Sequence, residues 1–552
     1  MRNINKRDFV TILSLWIIFF VIASHNLGLR KVPESSWEVS GNDGFYIDLD
    51  GEKNVSELTF LLKKGKINFD IFTGQPGNWT KKQTLLVDDY FKWKRIDINQ
   101  PTSYLKIDFQ RSYGELLEIA VIGEGRLIDI SLYRENGEKE SLFPLTDEQE
   151  QISIPINYES ETIFDEIYYV RAAEDYLSGV EPYENTHPPL GKLIIATGIS
   201  IFGFNPFGWR IMGVIFASSM LPIIYFLGKE LSGAWFGGLI SSLLLMFDFM
   251  HFTLSRIATI DTFLVFFILG SQLFFYKYTL DVQKNGWEAS LNQYFIAVFM
   301  LALGFSIKWT AIFSYFADLF YLSLLVFNLA QKKLKNNYYK FFINKKIIYA
   351  FTGSVTIFGL VYLISYVPYM RLGHSLMDVY NSQWFMLKYH SELTATHPFS
   401  SPWYTWPLIL RPVWLYVSDL GEGVVSTIVL MGNPAIWWMG LALIITISEK
   451  AVKEQNSSYL YIITMFFFQW IPYSFFTRSL FLYHFYPNTT IFCICASTQI
   501  YRKWIEKNTI WKEMTYLFMV ITCYLIFYPI ISGSPISLWW RNFLKWFPSW
   551  DF

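Results

Sequence analysis

The sequence predicts a polytopic α-helical membrane protein that carries one all-β domain on its outer side. Three observations lead there. Only 16% of the 552 residues are charged, against roughly 25% in soluble globular proteins, so the polar surface is too small for a water-soluble chain of this size. Apolar runs near the length of about 20 residues that spans a bilayer recur along most of the chain. The stretch 30–160 instead concentrates charge and alternates apolar with polar residues at period two. The 51 Phe, 35 Tyr and 21 Trp suit aromatic belts at membrane interfaces. A net charge of −1 lacks the basic excess that a nucleic-acid partner calls for. Cys493, Cys495 and Cys523 lie in apolar stretches with no His/Asp cluster beside them, and read as buried thiols.

Runs that qualify as spans, or nearly do, lie at 8–25, 210–228, 235–252, 257–276, 292–306, 308–328, 347–369, 426–446, 457–475, 481–500 and 513–532. The positive-inside rule orients them. Lys332, Lys333, Lys335, Lys340, Lys345 and Lys346 mark one inner loop, Lys450 and Lys453 a second, and Arg502, Lys503, Lys507 and Lys512 a third. The segment 371–425 holds three basic residues and falls outside. Counting back from it, and out from an inner N-terminus with Arg2, Lys6 and Arg7, agrees only if the apolar stretch 190–204 does not cross. It is therefore expected to lie on the outer surface. Eleven spans follow, with the C-terminus outside. Residues 1–23 also carry the basic start, apolar centre and small residue of a cleavable signal, although a retained helix is the preferred reading.

In chain order the expected organisation is a first transmembrane helix over 1–29, an outer β domain over 30–160 and an outer loop over 161–209. Helices two to seven follow over 210–370, a second outer loop over 371–425, helices eight to eleven over 426–535 and an outer tail over 536–552. Within the β domain, Ile67-Asn68-Phe69-Asp70-Ile71, Leu105-Lys106-Ile107-Asp108-Phe109 and Ile128-Asp129-Ile130-Ser131-Leu132 alternate, with turns such as Gly74-Gln75-Pro76-Gly77-Asn78 between strands. Such spacing favours a β-sandwich of galactose-binding or jelly-roll type. Trp79 and Trp93 are candidate sugar-stacking residues on it, the alternative being a passive module.

The chemistry-bearing residues gather after this domain. Asp165 and Glu166 are adjacent carboxylates at the membrane surface, and His187 and Lys192 follow in Thr186-His187-Pro188-Pro189-Leu190-Gly191-Lys192. A carboxylate there can take a proton from an acceptor hydroxyl while cations steady a departing phosphate. A solvated loop with a Pro-initiated helix would use the same residues without chemistry.

The ordered motifs resemble the protein O-mannosyltransferases, membrane glycosyltransferases of the GT-C class (family 39). The similarity runs over roughly 160–505. It comprises Phe164-Asp165-Glu166, the His187–Lys192 segment, Arg210, Ser255-Arg256 with Asp261, and Lys308-Trp309. It continues through Ser401-Pro402-Trp403-Tyr404-Thr405-Trp406-Pro407-Leu408 with Arg411-Pro412, Gly432-Asn433-Pro434 with Trp437-Trp438, and Arg478 to Tyr483-His484-Phe485-Tyr486-Pro487. The resemblance implies a GT-C fold and inverting transfer of mannose from a polyprenyl (dolichyl-type) phosphate to Ser/Thr hydroxyls of proteins. No metal or further cofactor is implied. On the same basis Asp165 is the expected general base, with Glu166 its acidic neighbour. Arg210, Arg256, Arg411, Arg478, His484 and Tyr486 are expected at the donor phosphate. His187, Lys192, Asp261, Trp403 and Trp406 are further substrate-site candidates. Snorkelling to the interface, or pairing such as Arg256 with Asp261, would account for the charged members equally well.

Two departures mark the chain as a bacterial or archaeal member. The 371–425 loop is too short for the β-trefoil that eukaryotic members insert, and the β domain occupies the first outer loop instead. The expected setting is the cytoplasmic membrane of a prokaryote, with the site facing outward. The Asn54, Asn78, Asn456 and Asn488 sequons then carry little meaning. The alternatives are a GT-C enzyme using another polyprenyl-phosphate sugar or a lipid or polysaccharide acceptor, and a sugar transporter or sensor. A transporter calls for inverted repeats and mid-membrane ionisable groups, and the sequence shows no such repeat.

Overall fold

The computed structural model describes residues 5–333, 345–507 and 511–552. Lys335 and Lys340, two of the lysines that orient the chain, lie outside the described residues, as does Arg2. Among the described residues seven helices are long and apolar enough to cross a membrane, and an eighth if one bent pair counts as a single span.

Local sequence explains where the helices start and stop. α1 (Lys6–Ser24) opens with a reciprocal cap, Asn5 accepting from the Asp8 amide while the Asp8 carboxylate accepts from the Asn5 amide. The Asp8 carboxylate also accepts from Lys229 Nζ (2.7 Å) and the Tyr225 hydroxyl (2.6 Å), which pins α1 to α4 (Pro206–Ser232). α4 itself starts with Pro206 behind the capping Asn205 and stops at Gly233 in the left-handed region. α5 (Trp235–Met246) and α6 (Phe249–Ser255) meet at 62°. Asp248 holds that bend, accepting from the His251 amide (3.1 Å), Asn433 amide (3.1 Å) and Trp437 Nε1 (2.9 Å).

α7 (Asp261–Asn285), α8 (Asn292–Phe305) and α9 (Ile312–Lys333) follow. Then come helices Lys345–Ser365, Pro434–Glu454, Ser457–Phe468, Tyr486–Lys507 and Trp511–Ser532. Every apolar run of the sequence thus contains helix, but α8 has 14 residues and Ser457–Phe468 has 12, short of a span taken singly. The stretch 190–204 forms α3 (Leu190–Phe202), a helix of 13 residues. The run expected at 426–446 starts later, at Pro434, because the β-branched residues before it are a strand and Asn433-Pro434 supplies cap and first turn.

The sheet strands are β1 (Trp37–Gly41), β2 (Gly44–Gln75), β3 (Asn78–Phe109), β4 (Ser112–Gly123), β5 (Arg126–Ile128) and β6 (Ser131–Tyr133). Where the sequence predicts two packed sheets of a sandwich, the described strands form one antiparallel six-stranded sheet, β1-β4-β2-β3 with β5 on β4 and β6 on β2. The reason is the length of β2 and β3. Both are bulged, and the Tyr104–Phe109 end of β3 pairs with Gly44–Asp48 and also with Phe69–Gly74 of the same strand β2. The sheet so folded encloses its own core, including Phe45, Phe60, Phe69, Ile107 and Phe109.

The sheet is docked on the helices. Leu61, Tyr90, Phe91 and Trp93 share a buried cluster with Tyr169, Val170, Ile195 and Trp209. A second small sheet covers the other side, where β7 (Val413–Gly421) and β8 (Val424–Leu430) form a hairpin and β9 (Ile536–Ser537) adds to β8.

Candidate active site

The candidate residues sit on the turns that precede or join helices, and the fold gathers several of these turns at one end. At the first of them, Phe164 turns the chain with φ 49°, a left-handed conformation uncommon for a bulky residue. α2 (Glu166–Ser178) then begins with no side-chain cap, which leaves the Asp165 carboxylate free. Among the described residues it has no hydrogen-bond or ion-pair partner. Burial pushes its pKa up to about 7, with the carboxylates of Asp261 and Glu184 adding to the shift and the Lys308 ammonium opposing it.

Glu166 is the opposite case. Its carboxylate accepts from Arg210 Nε and Nη2 (both 2.7 Å) and from the amides of Ile163 and Ala258 (both 2.9 Å). Arg210 spends its remaining N–H groups on the carbonyls of Leu27 (3.0 Å), Tyr158 (2.9 Å) and Glu161 (2.8 Å). Both side chains are fully buried. No donor on Arg210 remains for a phosphate, and no lone pair on Glu166 faces a substrate.

The second turn is built around Glu184, which the sequence reading passed over. Its carboxylate accepts from Lys192 Nζ (2.7 Å), the Thr186 amide (2.8 Å) and His187 Nδ1 (3.1 Å). Lys192 also donates to the carbonyls of Glu184 and His187 (both 2.8 Å), so all three ammonium protons are used within the loop. Burial tends to raise the Glu184 pKa, but Lys192 and His187 outweigh it and hold the carboxyl below the usual range. Burial lowers His187, so its imidazole is neutral at pH 7, with Nδ1–H on Glu184 and Nε2 left as an acceptor. The amide of Leu190 donates to the Ser306 carbonyl (3.1 Å), which ties this turn to the one carrying Lys308. Lys308 Nζ in turn bonds Asp261 (3.0 Å) and lies 5.6 Å from the Tyr483 ring centroid.

His390, also absent from the sequence-derived candidates, closes the group. It sits on helix Leu376–Glu392, its ring 5.1 Å from that of His187. Its Nε2 donates to the Thr186 carbonyl (2.8 Å), and its Nδ1 accepts from Arg478. Burial and the nearby His187 push its pKa down to about 4, which fits a neutral ring fixed in that tautomer. The Nε of Arg478 is buried without a partner, so this guanidinium keeps donor capacity. His484 stacks on Tyr483 (4.7 Å) and on the buried Trp406 (5.9 Å).

Several sequence candidates are placed elsewhere or spent. Arg256 donates to the carbonyls of Ala23, His25 and Asn26 (2.7, 2.6 and 2.8 Å) and anchors the end of α1, not Asp261. Tyr486 is buried among helices, its hydroxyl 2.7 Å from His251 Nδ1. Trp406 is fully buried, with its Nε1 on Ser401 Oγ (3.1 Å). Trp403 packs at 5.3 Å on Trp470, and Arg411 is exposed. In the β sheet Trp93 is buried, whereas Trp79 is partly exposed with one ring face stacked on Tyr46 (5.4 Å). Among the described residues one carboxylate trio, Glu118, Asp147 and Glu148, has ligand-type spacing, and it belongs to the β domain. Burial and its two acidic neighbours push Glu118 up to about 8.

Two family profiles match the chain, one described as dolichyl-phosphate-mannose-protein mannosyltransferase over residues 186–352 and one as the C-terminal four-helix transmembrane region of protein-O-mannosyltransferase over 375–550. A polyprenol-phosphate-mannose–protein mannosyltransferase of Mycolicibacterium smegmatis is 27% identical over 457 residues, covering 70% of this chain and 87% of the relative. Its counterpart in Mycobacterium tuberculosis is 26% identical, with 70% and 86% covered. The solved Pmt1–Pmt2 protein O-mannosyltransferase complex of Saccharomyces cerevisiae, bound to its sugar donor, superposes with a TM-score of 0.61 at 13% identity, over 71% of this chain and 89% of that one.

Proposed function

The chain belongs to the protein O-mannosyltransferase family, and we propose that it transfers mannose from a polyprenyl-phosphate donor to Ser/Thr hydroxyls of proteins by a single inverting displacement. One observation carries the assignment of roles. Asp165 is the unpartnered carboxylate of the cluster, poised near neutrality, while every other acidic group around it is engaged.

The step follows from that arrangement. The acceptor oxygen attacks C1 of mannose and its proton passes to Asp165. The C1–O bond to phosphate breaks, and its electron pair leaves on the phosphate oxygen. A hydroxyl is far too weak an acid to ionise first, so proton transfer accompanies attack. Arg478 and Lys308 are the cations assigned to the phosphate, with His187 and His484 bordering it. His390 orients Arg478, and Asp261 orients Lys308. Glu184 and Lys192 shape the His187 turn, and Glu166 with Arg210 fixes the backbone on both sides of Asp165. No role requires a metal.

The topology proposed with this reading has eleven spans and the site outside. In that topology the turns carrying Asp165, His187, Asp261, Lys308, His390 and Arg478 all face out. The pairs Asp8–Lys229, Tyr276–Ser458 and Glu454–Arg502 all face in. The β domain over 30–160 is then an extracytoplasmic module of a prokaryotic cytoplasmic-membrane enzyme, as its bacterial relatives suggest. The test is to incubate the purified protein with polyprenyl-phosphate-mannose and a Ser/Thr-rich peptide and to read the peptide by mass spectrometry. A gain of one hexose in the native protein and none in Asp165→Asn is expected. No product from the native protein with this donor would overturn the assignment.

A further inference from the structure

A cleft of about 510 Å³ lies between the outer sheet and the β7–β8 hairpin, within the roughly 300–1,000 Å³ range of ligand sites. We propose that it is the docking groove for an extended segment of the acceptor polypeptide, which adds alongside strand β7. This rests on the mannosyltransferase reading above and names where the acceptor chain is held.

Six consecutive residues, Trp414–Asp419, form one wall, and they belong to the edge strand of the three-stranded sheet. An edge strand presents a row of main-chain donors and acceptors that an added strand can pair with. Among the described residues no hydrogen bond joins the backbone of Leu415 or Val417 to any element other than β8, and the Val417 side chain is 46% exposed.

The opposite wall, Lys92, Trp93 and Arg95 of β3, meets that edge at one main-chain group, the Asp419 carbonyl, which accepts from Arg95 (3.5 Å). The Trp93 amide donates to Glu161 (3.0 Å), Lys92 Nζ donates to the Thr162 carbonyl (3.0 Å), and Arg95 donates to Ser418 Oγ (2.9 Å) and to the Ile156 carbonyl. The Trp93 indole N–H is buried with no partner in a wall that is otherwise satisfied.

For a glycan the groove offers one partly exposed ring, Trp414, because Trp93 and Tyr416 are buried, at 5% and 7% exposure. The groove is also near the chemistry. Glu161 lines it, and Asp165 lies four peptide steps further along the chain, at most roughly 14 Å away. A peptide lying along β7 therefore places a hydroxyl about four extended residues away within reach of the base.

Steady-state transfer separates the possibilities. A twelve-residue peptide with one central Thr is compared with the same peptide N-methylated at alternate backbone positions distant from the Thr. We expect methylation to raise KM about tenfold, with kcat within twofold. Val417→Trp, a change at an exposed side chain that fills the groove, should raise KM for the unmethylated peptide by a similar factor. Unchanged KM in both arms overturns the groove while leaving the mannosyltransferase reading intact. Absence of transfer to any peptide by the native protein overturns the underlying reading instead. Binding of a mannan oligosaccharide that Val417→Trp abolishes, with peptide KM unaffected, would reassign the cleft to a glycan.

Discussion

Asp165 and Glu166 are neighbours in sequence and opposites in circumstance. One carboxylate is unpartnered, and the other accepts four hydrogen bonds. Asp165→Asn should lower the transfer rate at least 10²-fold with donor affinity nearly unchanged, since general base catalysis alone contributes about 10²–10⁴. As the base must be ionised, kcat/KM should fall tenfold per pH unit below about 7, the value to which burial raises the group. The same shift has a stability consequence. A carboxyl with a raised folded-state pKa stabilises the fold below its unfolded pKa and loses that contribution as pH rises through about 7. Asp165→Asn should therefore raise the thermal midpoint more at pH 8 than at pH 5. Arg478→Gln should weaken donor binding and turnover together if, as proposed, its unpartnered Nε is directed to the phosphate. The family resemblance singled out Asp165, whereas the residue types alone could not separate it from Glu166. Adjacency says nothing about which carboxylate a distant guanidinium will capture, and Arg210 lies 44 residues on. Glu184 and His390 escaped notice for a related reason: Glu184 is captured by Lys192 eight residues on and His390 by Arg478 88 residues on, pairings that no residue pattern encodes.

At the scale of elements, the Glu166–Arg210 pair is a clamp. It joins the end of α1, the loop before α2, the start of α4 and the turn between α6 and α7 through five backbone contacts. Removing one partner strands a buried charge, at a cost of about 3–5 kcal/mol. Arg210→Met should accordingly depress the thermal midpoint and yield strongly, whereas Arg478→Gln should leave both near native. Loss of activity in a stably folded Arg210→Met protein with normal donor affinity would show that the clamp positions Asp165. The helices were the most legible elements, since apolar length is a composition property. Their edges were less so, as at 426–433, where a hydrophobic strand and a hydrophobic helix share the same residues and only Asn433-Pro434 marks the change. The curl of β2 and β3 was illegible, because a long bulged strand and two short ones alternate alike.

For the whole molecule, the outer domain is fastened as well as attached. Besides the shared apolar cluster, Lys63 pairs with Glu174 (2.5 Å) and the Tyr90 hydroxyl donates to the same carboxylate. Deleting 35–155 with a short bridge would uncover that face of α2 and α4, so the truncated protein should have a lower thermal midpoint in detergent and a higher KM for long acceptors. A truncation that leaves both unchanged would make the domain a passive passenger. Topology is open to direct labelling. A cysteine replacing Glu422 at the hairpin turn should react with an impermeant maleimide on intact cells, and one replacing Lys453 only after permeabilisation. The reverse pattern would invert the molecule and strand its chemistry on the inner face.

The amide of Leu29, where the chain departs for the sheet, donates to the carbonyl of Glu159, where it comes back, over 2.7 Å. The inserted domain therefore plugs into a two-pin socket. A replacement fold would need its ends side by side and would also have to cover the apolar face of α2 and α4 that Leu61, Tyr90, Phe91 and Trp93 bury. Arg210 grips both pins through Leu27 and Tyr158, so a load applied to the plug is borne by the guanidinium that also holds Glu166, the residue next to Asp165.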